Sequence, residues 1–354
     1  MFDFLNTSAF SLTQQEKNAA YKIALHELTR HHYAHCLPYR KILDVLGFDL
    51  TKEYNKLEDI PFIPVRLFKD HELLSVANNK IVSTLTSSGT TGQKVSKIFL
   101  DQITITNQKN ALTSIFNTCI GQKQLPMLIL DTKAAAKDQN LFPARTAGIM
   151  GFSMFGQDIT YAFDENMKLD IKAVKDFCRK YENKNTLLFG FTYVIWEHFY
   201  KQLVTANITL PLEKGILLHA GGWKKLINQS VDNITFRNSL ENICGIKQIY
   251  NYYGMAEQIG SIFMECDQGY FHSSNFSDVI IRNIDFSVCD KRKPGLVQVI
   301  SPLAYSYPGH SILTEDIGEV FGEDDCACGR LGKYFKLHGR IKNAEVRGCS
   351  DTHN

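Results

Sequence analysis

Residues 86–97 read Thr86-Ser87-Ser88-Gly89-Thr90-Thr91-Gly92-Gln93-Lys94-Val95-Ser96-Lys97, and two short apolar runs, IVSTLT at 81–86 and VSKIFL at 95–100, bracket them. Hydroxyls and glycines at this density let backbone N–H groups turn toward an anion at close range, and Lys94 or Lys97 adds positive charge. A Walker A loop is excluded. That motif needs G-x-x-x-x-G-K-[ST] leading into a helix, whereas Gly89 and Gly92 are three apart and a β-like run follows. A loop of this composition is either a phosphate cradle or a polar hairpin turn, and the rest of the chain has to separate the two.

Further along, strand-length apolar runs recur: LPMLILD, GIMGFSMFG, TLLFGF, GILLHA, IKQIYNYYG, DVIIRN and GLVQVI. Each is bounded by Gly, Asn, Asp or Pro. Helical stretches fall between several of them, at Leu169–Tyr181 and Val194–Thr205, which predicts an α/β architecture with mainly covered sheets. On the N-terminal side, Thr13 stands three residues before Glu16, a capping-box spacing. Tyr21, Ala24, Leu25 and Leu28 then share one helical face. The prolines of LEDIPFIPVRLFKD predict an extended connector after that helix.

Lys and Arg number 39 against 37 Asp and Glu, which leaves no basic footprint for a nucleic-acid backbone or an anionic membrane. The expected partner is a small molecule or another protein. The start MFDFLNTSAFSLTQQEKN lacks the charge and apolar run of a signal peptide, and no later segment has the length of a membrane span. These features predict a cytoplasmic protein without stable membrane insertion. Nine cysteines favour thiol or metal chemistry over a disulfide framework.

Four stretches then follow the Thr86–Gly92 loop in order. They are Ala220-Gly221-Gly222 after a buried-strand pattern, Tyr252-Tyr253-Gly254-Met255-Ala256-Glu257, Thr314-Glu315-Asp316, and Gly339-Arg340. Singly, Glu257 or Asp316 reads as a solvated loop carboxylate. As an ordered set with Thr86, Ser87, Ser88, Gly89, Thr90, Thr91 and Gly92, they resemble the adenylate-forming superfamily, which includes acyl-CoA ligases and luciferases. The resemblance implies the α/β fold of that superfamily's large N-terminal domain, with mixed sheets and helices, and ATP and Mg²⁺ as cofactors. It assigns the 86–92 loop and Lys94 to the phosphates, Gly221 and Gly222 to adenine contact, and Tyr253 and Gly254 to packing beside it. Glu257 falls to the magnesium, Asp316 to the ribose hydroxyls and Arg340 to the nucleotide. The residue types suit the chemistry. A carboxylate attacking the α-phosphate meets like charge, so N–H donors, a lysine and Mg²⁺ have to neutralise it. No general base is required, because the carboxylate is already ionised at neutral pH.

Only 14 residues follow Arg340, where the superfamily has a mobile lid bearing a catalytic lysine. The expected organisation is a catalytic domain over 1–339, with the lid truncated, and a hinge remnant and tail over 340–354. Cys349 in that tail is a thiol able to take an acyl group; Arg347 would lower its pKa and Asp351 would oppose that. The stretches LHAGGWKK, YNYYGMAEQIGSIFMEC, GYFHSSNFSDVIIRN, GLVQVISPLAYSYPGHSILTEDIGEV and GRIKNAEVRGCSDT resemble the long-chain acyl-protein synthetases of bacterial fatty-acid reductase systems, the LuxE type. That narrower resemblance covers nearly the whole chain. It implies activation of a long-chain fatty acid, a thioester on Cys349, and delivery to an acyl-protein reductase.

Cys266 and His272 form a C-x₅-H pair, and Cys326 and Cys328 a C-x-C pair about 60 residues later. They are either a tetrahedral Cys₃His zinc site, structural because it leaves no open position, or four unligated side chains. Similar elements in the phenylacetate-CoA-ligase-like branch of the superfamily hold zinc. Phe189-Gly190-Phe191-Thr192-Tyr193 and Trp196 sit where the superfamily builds its acid pocket, with Phe189 and Gly190 as the expected wall. His219 reads as a structural histidine, and His31 and His32 as a solvated helix face. Two other functions compete with the acyl-protein synthetase. A ligase serving coenzyme A would keep forming thioester after Cys349→Ser, and a non-catalytic nucleotide-binding subunit would bind ATP without releasing pyrophosphate.

Overall fold

The computed structural model describes residues 6–52, 54–86, 95–121, 123–136, 143–223 and 230–341. Their backbone contacts gather into two units, one drawn from 6–86, 95–121 and 253–341 and the other from 123–252.

The first unit begins with the helix Gln14–His35. The Glu16 N–H donates to the Thr13 hydroxyl and the Thr13 N–H donates to the Glu16 carboxylate at 2.8 Å, so the capping box forms as its spacing predicts. Tyr21, Ala24, Leu25 and Leu28 are the buried stripe. In the connector, only the middle is extended. A turn at Leu57–Asp59 leads to the strand Ile63–Pro64, after which the chain coils again at Leu67–Asp70. Pro61 and Pro64 hold the residues before them out of the α region, and no proline follows to stop the later turn.

The sheet of this unit runs, in spatial order, Phe263–Glu265, Phe271–His272, Lys333–Arg340, Ser311–Glu323, Gly295–Ile300 and Asp278–Arg282, all antiparallel, with Ile63–Pro64 added in parallel on Ser311–Glu323. Its core joins Val279, Val297, Val299, Ile312 and Phe335 to Tyr39 and Leu43 of the helix Leu37–Val45. The N-terminal helix is also pinned by charge. Lys17 Nζ lies 3.6 Å from Asp278 Oδ2, and Lys333 Nζ lies 3.5 Å from the same oxygen. Burial pushes the Lys17 ammonium down to about 8 against the pull of Asp278. A separate pair, Ile81–Thr86 and Lys97–Asp101, is an antiparallel hairpin with Thr86 opposite Lys97. The segment it brackets, from Ser87 to Lys94, lies outside the described residues.

The second unit is a parallel sheet in the order Gly156–Phe163, Leu125–Thr132, Thr186–Phe191, Gly215–Ala220, Gln248–Tyr253, the last residue of which is counted with the first unit. Thr186–Phe191 and Gly215–Ala220 are buried at every residue, which is why they read as unbroken apolar runs. The run GIMGFSMFG, expected as a strand, is mostly helical: helix Pro143–Ser153 takes its first six residues, and the strand starts only at Gly156. A short apolar run suits a buried helix as well as a strand. Gly148 faces Phe191 and Phe189 so closely that an added Cβ would sit 2.9 Å from the Phe191 ring.

From Leu125–Thr132 the chain crosses to one side and then returns to Thr186–Phe191 on the other. The strand order therefore reverses between these two neighbours, and in open α/β sheets ligands bind outside the carboxyl ends of strands at such a reversal. Thr192 starts the helical segment that leaves this point; it contains a π-helical turn, Ile195–Tyr200, a departure from regular helix that frequently marks functional sites. Among the described residues, no helix is long and apolar enough to cross a membrane.

Candidate active site

In the first unit, three of the residues singled out from sequence meet. The Tyr253 hydroxyl donates to Asp316 Oδ2 at 2.6 Å, and Arg340 Nε lies 3.2 Å from Asp316 Oδ1. The sheet itself arranges this, because Asp316 and Arg340 are cross-strand partners. Glu315 supplies a second carboxylate 3.1 Å from Arg340 Nη2, and the Thr314 hydroxyl accepts from the Asp316 N–H while donating to the Val297 carbonyl. The backbone that carries Asp316 is thus fixed by its neighbours. Burial, and then the Asp316 charge, hold the Tyr253 hydroxyl well above its ordinary pKa, so it remains a donor. Its ring packs on Phe263 and Phe335 with centroids 5.8 and 6.5 Å away.

Gly254 follows Tyr253 directly, and Glu257 sits in the turn Ala256–Gln258. Glu257 is buried rather than held out on a loop surface, and its carbonyl accepts from the Tyr307 hydroxyl at 3.0 Å. The turn is clamped at Gly260, where φ is +80° and an added Cβ would come within 2.6 Å of the Gln108 backbone. Only glycine fits there.

The second unit carries Gly221 and Gly222 at the carboxyl end of Gly215–Ala220. Both are exposed, and Gly221 adopts φ +82°. Phe189 is buried between Phe152, stacked at 4.9 Å, and Phe191. Gly190 faces Leu130 and Ile195, whose side chains lie 3.0 Å from where its Cβ would be, so its glycine serves close packing. His219 is a buried, hydrogen-bonded residue, as the sequence suggests. His32, by contrast, is not on a solvated face: it is buried and stacked on His310 at 4.9 Å, while His31 is half-buried against Tyr305. His32 stands one turn after Leu28 on the buried stripe of the helix, and its Nδ1 lies 2.8 Å from the Ser75 hydroxyl oxygen.

Cys266, His272, Cys326 and Cys328 converge in the first unit, with their ligand atoms all within 4.8 Å of one another. A tetrahedral zinc with Zn–S bonds near 2.3 Å sets sulfurs about 3.8 Å apart, so this donor set fits the ion with small adjustments. Two hairpin turns bring the four together, one closed by the Gly269 N–H on the Cys266 carbonyl and the other by the Gly329 N–H on the Cys326 carbonyl. Burial pushes the His272 imidazole down to about 4, which keeps it neutral, as a metal ligand must be; the same burial raises the Cys326 thiol to about 12, a proton that a bound metal would displace. Asp324, at φ +62°, accepts from the Gly332 N–H at 2.7 Å and from the Gln14 N–H at 2.9 Å. It ties the C-x-C loop to the first turn of the N-terminal helix. Nothing in the sequence spacing pointed to Asp324, because the contact spans 310 positions.

Lys94 and the 87–92 loop lie outside the described residues, as does Cys349, and Thr86 is the last residue of its strand.

A profile of the family described as acyl-protein synthetase, LuxE, matches residues 3–354. A long-chain-fatty-acid–luciferin-component ligase of Vibrio harveyi is 25% identical over 336 residues, spanning 91% of this chain and 84% of that protein. A protein of the same description from Photorhabdus luminescens is 42% identical over 65 residues, 18% of this chain and 54% of its own length. Among solved structures, an open form of 2-hydroxyisobutyryl-CoA ligase in complex with 2-HIB-AMP and CoA aligns with a TM-score of 0.70 at 13% identity, covering 95% of this chain and 77% of that one. The same ligase in its postadenylation state aligns with a TM-score of 0.68 over 93% of this chain and 69% of its own. The fold is that of the adenylate-forming ligases, and with its family profile matched from residue 3 to 354 the chain belongs to the LuxE acyl-protein synthetases, enzymes of the ligase class.

Proposed function

We propose that this chain activates a long-chain fatty acid with ATP and Mg²⁺, transfers the acyl group to Cys349 as a thioester, and presents it to an acyl-protein reductase. In the first step a carboxylate oxygen bonds to the α-phosphorus and pyrophosphate leaves. In the second the Cys349 thiolate bonds to the acyl carbon and AMP leaves, so each step balances without an oxidant or reductant. The observation that carries the reading is the convergence of Tyr253, Asp316 and Arg340 in a member of this family. A carboxylate held in place by an arginine and a tyrosine offers acceptor oxygens for two vicinal hydroxyls, the chemistry of a ribose.

The remaining roles follow the sequence. The N–H groups of 86–92 and Lys94 neutralise the phosphates, Glu257 serves Mg²⁺, and Gly221, Gly222 and Gly254 let the backbone approach the adenine. Zinc on Cys266, His272, Cys326 and Cys328 is structural. Intact-protein mass spectrometry after incubation with ATP, Mg²⁺ and a panel of fatty acids tests the reading. A hydroxylamine-labile acyl adduct on the wild type and none on Cys349→Ser is the expected result. ATP binding without pyrophosphate release would leave a non-catalytic subunit instead.

A further inference from the structure

Main-chain pairing between Thr186–Phe191 and Gly215–Ala220 ends with Phe191 facing Ala220. The next residue, Thr192, continues the lateral link with its side chain. Its Oγ1 lies 2.8 Å from the Gly221 carbonyl, 3.1 Å from the Ala220 carbonyl and 2.8 Å from His219 Nδ1. A hydroxyl has one proton and carbonyls can only accept, so the proton is shared between the two carbonyls. His219 Nδ1 must then carry a hydrogen and donate it to Oγ1. This accounting fixes the tautomer of a buried histidine whose ring is held by Phe236 at 4.9 Å, and burial keeps the imidazole neutral by pushing its pKa down to about 3.

The link ends on the residue that most needs one. Gly221 stands at φ +82°, exposed, with Gly222 open beside it, and a turn with no side chains has no means of its own to fix its peptide planes. Thr192 also lies at the carboxyl end of a strand beside the reversal of strand order, where a ligand is expected. We propose that Thr192 and His219 are positioning residues for the nucleotide, acting through the Ala220–Gly222 turn, whose peptide groups they hold at the angle that the adenine ring of ATP requires. The inference rests on the reading of that turn as the adenine contact.

The test is equilibrium binding of ATP to the full-length chain, together with the KM values of ATP and fatty acid in pyrophosphate release, for the wild type, Thr192→Val, Thr192→Ser and His219→Asn. Valine keeps the shape and removes the hydroxyl, serine restores it, and the asparagine amide can donate from near the Nδ1 position. The expected result is about a tenfold weaker ATP affinity and higher ATP KM for Thr192→Val, of the order that loss of a buried hydrogen bond gives. The fatty-acid KM should stay within about twofold, and Thr192→Ser and His219→Asn should return to near wild type. An unchanged ATP affinity in Thr192→Val overturns the inference, as does an equal rise in both KM values or a failure of serine to rescue. If Thr192→Val does not fold, His219→Phe against His219→Asn makes the same comparison. Wild-type protein that binds no ATP overturns the underlying reading of the turn, and this inference with it.

Discussion

Asp316 and Arg340 are cross-strand partners, 3.2 Å apart at Oδ1 and Nε, and Tyr253 reaches the other oxygen of the same carboxylate. Because both members of the ion pair are partly exposed, at 23% and 30%, its contribution to stability is below about 1 kcal/mol. Its value therefore lies in placing the carboxylate. Asp316→Asn should raise the ATP KM about tenfold or more, since one charged acceptor and its anchors are lost together. The melting temperature should change little. Nucleotide titration and thermal melts of the same preparation check both halves.

Metal content should follow the four converging side chains, Cys266, His272, Cys326 and Cys328. One zinc per chain is expected by elemental analysis, and Cys326→Ala or Cys328→Ser should lose it and lower the melting midpoint by roughly 5–10 °C. Because Asp324 ties the C-x-C loop to the Gln14 N–H, hydrogen exchange in the first turn of the N-terminal helix should accelerate in the same variants.

His32 and His310 supply a pH dependence. Both are buried and stacked, with burial as the first cause of their depressed pKa values, His310 down to about 3 and His32 well below its usual 6.5. Below 6.5 the unfolded chain takes up protons that the folded chain refuses, so stability falls as pH drops from 6.5 toward 3 and is fully present above 6.5. The slope approaches 1.36 kcal/mol per pH unit for each histidine. Urea midpoints measured from pH 7 to 5 should fall for the wild type and fall less steeply for His310→Gln.

Gly260→Ala places a Cβ against the Gln108 backbone at a φ that L-residues avoid. A loss of about 2 kcal/mol or more in unfolding free energy is expected. Turnover should need a higher Mg²⁺ concentration for half-saturation, because the turn that carries Glu257 shifts.

What could be read from the chain depended on how local its cause is. The Thr13–Glu16 cap and the Tyr21-to-Leu28 stripe are set within one or two turns, and both form. TLLFGF and GILLHA are buried on both faces, so their apolar runs admit one reading, whereas GIMGFSMFG did not declare its period and proved mostly helical. In the site, ordered motifs were enough to nominate Asp316, Arg340 and Tyr253, because each sits in a recognisable short stretch. Thr192, His32 and Asp324 were not legible in the same way. Their partners, Gly221, His310 and Gln14, lie 29, 278 and 310 positions distant, and only the tertiary fold brings them close.

The central claim is tested most directly by intact mass after incubation with ATP, Mg²⁺ and long-chain fatty acids, read on the wild type beside Cys349→Ser. The account predicts one acyl mass added to the wild type, removed by hydroxylamine, and no addition to the serine variant. Pyrophosphate released by both proteins with neither acylated would contradict the carrier role of Cys349 and direct the acyl group to an external thiol.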